Sequence, residues 1–388
     1  MSNDPAMREN RRPWWRRWLG RLALAGATLV LLILLTEGAL WIFAPQPFDE
    51  WLVYIPDGRI RARAEPGQVV HTASGAEVRI NRFGFRGPDY AWAPTPGTLR
   101  LLAFGGSSTF CWQNSSDEKT WPMRLQNYLS DALKMPVEVV NLGMAGYDAT
   151  QTKTDYMFLG RALHPHVVLE YDTWNDMKYF RNFQRGPDTF TYWIPNKPWW
   201  QKIARATQIG RYARNAYWKL TRRKLELRLS TLEKEGVDEN QPVPPYAFEW
   251  ARRNFSDFVL LAKSDGVLPV LISQGHMLDP ANRKKPKYEE EFAEGASMFD
   301  MSFPVLFAAS MEMNRIVEDV ARRGGAVFVD GYNSVPRDFE NYADAVHFND
   351  KGSDVFARAV ADVLLGDPRF MAVVERVRAG ATTQPMAR

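Results

Sequence analysis

Few groups in this chain can do covalent chemistry, and they fall at informative places. There is one cysteine, Cys111, and there are five histidines: His71, His164, His166, His276 and His347. Of these, His347 has an aspartate three residues before it on a loop expected past the last strand, in "YADAVHFNDKG", so Asp344 can orient its ring. The hydroxyl to set beside it is Ser107. In "LLAFGGSSTFCW", residues 101–112, an apolar run meets Gly105 and Gly106 and then Ser107, with Ser108 next to it. A serine is a poor nucleophile until a base takes its proton, and an imidazole steered by a carboxylate is such a base; the resulting chemistry is acyl transfer through an acyl-serine. Taken alone, the stretch fits a helix N-cap equally well. "GGSST" lacks the lysine of a phosphate-binding loop and the spacing of a dinucleotide fingerprint. No Cys/His spacing suits zinc, and serine chemistry of this kind needs neither metal nor cofactor.

Position decides between nucleophile and cap. "TLRLLAF", "VEVVNL", "HVVLEY", "VLPVLIS" and "AVFVDG" are short apolar runs of the kind that form buried strands. Helix-like stretches separate them: "TWPMRLQNYLSDAL", "DATQTKTDYMFLGRAL", "YAFEWARRNFSDFVLLAKSDG" and "VLFAASMEMNRIVEDVARRGG". Alternation of this kind predicts a parallel sheet covered on both faces, with ligands beyond the carboxyl ends of its strands. Ser107 directly follows the first strand. "NLGMAGYD" follows the second, "YDTWND" the third, and "YADAVHFNDKG" comes after the last. Polar groups therefore collect along one edge of the sheet.

With these four segments placed, the sequence resembles the SGNH hydrolases, the broad GDSL-like esterase and lipase superfamily, over about residues 99–365. "GGSST" matches the first motif block with Ser107 at the nucleophile; "NLGMAGYD" places Gly146, and "WND" places Asn175, at the oxyanion positions; "DAVH" places Asp344 and His347. The resemblance implies a flavodoxin-like three-layer α/β/α sandwich with a central parallel sheet, and a triad of Ser107, His347 and Asp344. It also implies an oxyanion hole made by the N–H groups of Ser107 and Gly146 and the amide of Asn175. Gly106 stands where many members carry Asp, as is common among membrane-anchored members; Cys111 and the "EYD" before Thr173 and Trp174 are less usual. The chain lacks the G-x-S-x-G elbow of α/β-hydrolases.

Composition narrows the partners. A net charge of +4 over 388 residues, with no nucleic-acid-binding signature, argues against nucleic acid as a ligand. Localisation is written at the N-terminus. Arg8, Arg11, Arg12, Arg16, Arg17 and Arg21 precede Leu22–Ala44, where Glu37 is the only charge. That length suits a bilayer crossing, and the arginines put residues 1–21 in the cytoplasm and the rest of the chain in the periplasm or outside the cell. Trp14, Trp15, Trp18 and Trp41 are interfacial anchors, and Glu37 is expected to snorkel outward. A cleaved signal peptide is the competing reading, but the apolar run is long for one.

Residues 45–95 read as an ordered extension and 96–370 as the hydrolase-like domain, with an insertion at about 180–246 and a disordered tail at 371–388. From Lys197 to Arg228 the insertion carries ten Lys or Arg against one acid, Glu226. It reads as a basic amphipathic helix resting on anionic lipid, holding an acidic polysaccharide or packed on the main domain. Trp193, Trp199 and Trp200 beside it are candidate substrate-binding residues, stacking on sugar or lying at the membrane interface. Residues 279–300 read as a charged loop over the active-site edge. The function expected from the whole is ester hydrolysis or acyl transfer on an acylated carbohydrate. A lipase at the membrane and a catalytically silent scaffold are the alternatives.

Overall fold

A computed structural model describes residues 14–43, 54–57, 61–71, 76–180, 207–210, 212–213, 216, 238–285, 287–289, 291–292 and 299–380. The chain divides into two compact units, one of residues 1–48 and 196–233 and the other of residues 49–195 and 234–388. In the first, a helix runs from Trp14 to Phe43, and its Trp18–Phe43 portion, with mean hydropathy 2.1, is long and apolar enough to cross a membrane. Glu37 accepts backbone N–H bonds from Gln208 (2.5 Å) and Ile209 (3.0 Å). The outward snorkelling expected of this carboxylate is thus replaced by bonds within the unit, which satisfy a group costly to leave alone in an apolar setting.

The second unit opens with the short strands β1 (Tyr54–Asp57), β2 (Arg61–Ala64), β3 (Val69–His71) and β4 (Glu77–Arg79) and is built on five parallel strands: β5 (Leu99–Gly105), β6 (Val137–Gly143), β7 (Val167–Tyr171), β8 (Leu268–Ile272) and β9 (Val327–Val329). Their order is β6-β5-β7-β8-β9, the flavodoxin-like order, with the direction of winding reversing between β5 and β7. Each strand reads as the apolar run predicted, because parallel strands with helices on both faces have no solvent side to make polar. All seven residues of β5 and all five of β7 are buried. Helix Trp121–Leu133 packs with helix Asp350–Gly366, while helix Tyr246–Ser264 packs with helices Phe303–Gly324 and Ala149–Asp155. At the core, Trp121 meets Phe356 edge-on at 5.3 Å between ring centres, and Tyr171 lies 4.7 Å from the same ring.

Several elements differ from the sequence reading. Helix Asp350–Gly366 was not among the predicted elements; its start is set by Asn349, whose side chain accepts from the N–H groups of Lys351 and Gly352. The boundary at 371 cuts through helix Pro368–Arg378, which buries Phe370, Val373, Val374 and Val377; residues 381–388 lie outside the described residues. The helix expected over residues 148–163 is α-helical for Ala149–Asp155, and then widens and tightens in turn through Tyr156–Gly160 and Arg161–Leu163. Strand Tyr54–Asp57 pairs antiparallel with Arg61–Ala64, and Val69–His71 with Glu77–Arg79, and Phe83, Phe85 and Arg86 beyond them are buried, so the extension contributes to the core.

Candidate active site

Strand β5 ends at Gly105, whose φ of +149° brings its backbone so near Tyr171 that a Cβ there would lie 2.2 Å from the Tyr171 carbonyl. Glycine is therefore required at this position. A single helical turn, Ser107–Phe110, follows, with Gly106 at the N-cap and Cys111 closing the turn at φ +63°. Ser107 is thus the first residue of the turn, and its hydroxyl does not cap it. Each carbonyl of the turn meets a donor, and those of Ser108, Thr109 and Phe110 meet one from elsewhere in the chain. Cys111 N–H donates to Ser107 at 2.8 Å, Trp121 Nε1 to Ser108 at 3.2 Å and Asn141 Nδ2 to Thr109 at 2.9 Å. The buried Arg86 guanidinium donates to the carbonyls of Phe110 and Cys111 and pairs with Asp117 at 2.6 Å. Four hydrogen bonds from three outside residues, Arg86, Trp121 and Asn141, fix where Ser107 stands.

The partner loop is equally constrained. Residues 342 and 348 pair as an isolated antiparallel bridge, and Ala343 N–H donates to the His347 carbonyl at 2.9 Å. Inside this tight loop Asp344 Oδ1 accepts from the N–H groups of Val346 and His347, each at 2.9 Å. Asp344 Oδ2 lies 2.7 Å from His347 Nδ1, and His347 Nε2 lies 2.7 Å from Ser107 Oγ. Burial favours the neutral form of Asp344, but the imidazole and the two N–H bonds prevail and hold its carboxyl at about 2. Burial likewise opposes a charge on His347, yet the adjacent carboxylate raises the ring above its ordinary value. An ionised Asp344 can only accept, so it takes Nδ1–H and leaves the Nε2 lone pair to face the Ser107 hydroxyl. Ser108 Oγ points elsewhere, donating to the Val346 carbonyl at 3.5 Å and accepting from Gln274 Nε2 at 3.3 Å.

Beside Ser107 lie the two loops singled out in sequence. Gly146 is exposed in a turn at φ +86°, with open space where a side chain would project. Asn175 is buried, and its Nδ2 donates to the Tyr147 carbonyl at 2.8 Å. That amide has a second hydrogen to offer. It is close to the turn that carries Ser107: a Cβ on Gly106 would lie 2.5 Å from Asn175 Nδ2. The arrangement has the parts for acyl transfer, namely a hydroxyl, a base, an orienting acid and donors beside the hydroxyl. Among the described residues no group of three or more acidic, cysteine or histidine side chains is placed to hold a metal.

Trp193, Trp199 and Trp200 lie outside the described residues. Residues 279–300, read in sequence as a charged loop over the active-site edge with no role assigned, include Phe299, which packs edge-on against Trp174 at 5.3 Å, next to Asn175. Arg86 was also missed. Its position in "NRFGFRGPDY" signalled only a turn, and its role depends on a pairing 31 residues away.

No family model and no curated protein matches the chain. Among solved structures, it is similar to the acetylxylan esterase Axe2 of Geobacillus stearothermophilus, with 13% identity, a TM-score of 0.42, and coverage of 68% of this chain and 93% of that one. It is also similar to a putative lipolytic protein of the G-D-S-L family from Desulfitobacterium hafniense, with 13% identity, a TM-score of 0.38, and coverage of 68% and 99%.

Proposed function

We propose that this chain is a membrane-anchored serine esterase of the SGNH type that forms an acyl-enzyme on Ser107. The observation that carries the reading is the unbroken run Ser107 Oγ, His347 Nε2, His347 Nδ1, Asp344 Oδ2, with both links at 2.7 Å. In the proposed reaction, His347 takes the Ser107 proton as Oγ attacks the ester carbonyl. The oxyanion draws on the N–H groups of Ser107 and Gly146 and on the Asn175 amide. Collapse breaks the C–O bond to the alcohol, which leaves with the proton held by His347. Water then attacks the acyl-enzyme, with His347 again as base, and releases the acid. A sugar hydroxyl in place of water makes the same intermediate an O-acyltransferase. The resemblance to envelope members favours small acyl groups on carbohydrate as substrate. The arginines before the apolar helix favour a catalytic domain outside the cytoplasm.

The test uses the full-length chain in detergent, with p-nitrophenyl acetate turnover and fluorophosphonate labelling. Wild type and Ser108→Ala are expected to label and turn over, and Ser107→Ala to do neither. A folded wild type that never labels would replace the esterase reading with that of a scaffold. Labelling without hydrolysis, followed by turnover on adding a sugar acceptor, would specify transfer.

A further inference from the structure

Behind the proposed oxyanion site lies a group of carboxyls that the ester chemistry leaves unused. Glu170, at the end of the central strand β7, Asp172 just past it, Asp176 in the next turn and Asp148 at the start of helix Ala149–Asp155 are all at most 3% exposed. Asp148 is engaged as a cap, accepting from the N–H groups of Thr150 and Gln151. The other three are only half satisfied. Glu170 Oε1 accepts from Thr152 Oγ1 at 2.9 Å, Asp176 Oδ1 from the Ala149 N–H at 3.3 Å, and Asp172 from the backbone N–H of Asn175. Glu170 Oε2, Asp172 Oδ2 and Asp176 Oδ2 are buried and meet no donor. The cation facing Asp172 and Asp176 is Lys178, which is exposed and extends its ammonium toward the Gly146 carbonyl at 3.5 Å.

Asp172 is the member nearest the reacting groups. Its Oδ2 lies 3.2 Å from the point where a Cβ on Gly106 would sit, the same point that is 2.5 Å from Asn175 Nδ2. Together with Asn175 Nδ2 and the Tyr147 carbonyl, at 2.5 and 3.1 Å, it walls the space in front of the residue before Ser107, while its carboxyl also accepts from the Asn175 backbone N–H. A negative charge there opposes a negative charge developing on the substrate. At an effective dielectric of about 20, a unit charge about 6–12 Å from the developing one slows the reaction about 10–100-fold.

We propose that Asp172 is a positioning residue that works as a neutral carboxylic acid, bracing Gly106 and Asn175 while protonated and setting the alkaline limit of activity when it ionises. Glu170 and Asp176 share the charge that then appears. The inference rests on the serine-esterase reading above. Burial pushes all three carboxyls well above the usual range, with the charges of neighbouring carboxyls adding to it and Lys178 opposing it only for Asp172 and Asp176. The direction for stability follows. A carboxyl with a raised folded-state value binds its proton more tightly folded than unfolded, so its stabilisation is present in acid and is lost as pH rises toward that value.

The experiment follows fluorophosphonate labelling and thermal midpoint from pH 5.5 to 10 for the full-length wild type, Asp172→Asn and Asp176→Asn. The expected result is wild-type labelling that falls at least tenfold on the alkaline side while the near-ultraviolet circular dichroism stays native. Asp172→Asn should label within threefold of wild type at pH 7 and carry its alkaline fall at least one pH unit higher. An unchanged alkaline fall would overturn the proposal, as would a hundredfold loss at pH 7 in folded Asp172→Asn, which would mean that the ionised form is needed. If nothing labels at any pH, the esterase reading fails, and the thermal midpoints decide the carboxyl claim alone. A wild-type midpoint that drops with rising pH and flattens in Asp172→Asn supports the neutral acid, and parallel curves refute it. Should Asp172→Asn not fold, the same comparison with Asp176→Asn applies.

Discussion

At the scale of single residues, the site depends on what each group is prevented from doing. Asp344 is held ionised, so it steers His347 without competing for its proton. Replacing it by the isosteric amide is expected to lower kcat about 10³–10⁴-fold with the fold intact, because the ring would settle in the wrong tautomer. This is read from turnover of Asp344→Asn beside its circular dichroism. His347 acts as a base only when neutral, and its value is raised, so activity should be lost as pH falls through a midpoint above that of free histidine. The acid limb of kcat/KM for p-nitrophenyl acetate measures that midpoint. Gly106 is confined by its neighbours. A methyl group there would displace the Asn175 amide, and Gly106→Ala is expected to cost about 10²–10³-fold in kcat with a smaller change in KM, the size of losing one oxyanion donor.

At the scale of elements, the extension before the first parallel strand acts as a brace for the turn that carries Ser107. Arg86 is 1% exposed and joins Asp117 to the carbonyls of Phe110 and Cys111. Arg86→Met should destabilise the fold by about 3–5 kcal/mol, since it leaves Asp117 and two carbonyls without their partner. Denaturant titration together with kcat would show both falling. Trp121→Ala should cost a similar amount through the cavity beside Phe356 and also release the Ser108 carbonyl. The sequence carried the strands plainly, because burial on both faces leaves no polar alternation to confuse the pattern. Ser107, Asn175 and His347 were legible because they directly follow apolar runs or sit in a matching motif. The acidic group was not: Glu170 and Asp172 stand in "EYD", which looks like an ordinary polar strand end until packing shows that no solvent reaches them. Helix Asp350–Gly366 was missed because its start is signalled by one Asn beside Asp and Lys, within a segment read for its histidine.

At the scale of the whole molecule, the apolar helix and the sheet domain make separable contributions. If the N-terminal helix is the anchor, the full-length chain should stay in the membrane pellet after alkaline carbonate washing, and a chain begun at residue 49 should leave it; fractionation reads both. The two ends of the reacting array also lie far apart in the chain, since Ser107 and His347 are 240 residues distant. During synthesis, the strand and turn that present Ser107 are complete long before the loop bearing Asp344 and His347 leaves the ribosome. Until then the hydroxyl has no base beside it. On the proposed serine-esterase reading, the growing polypeptide is therefore chemically silent toward esters along most of its length, and reactivity arrives with nearly its last segment, as a sign that the chain has been finished and folded.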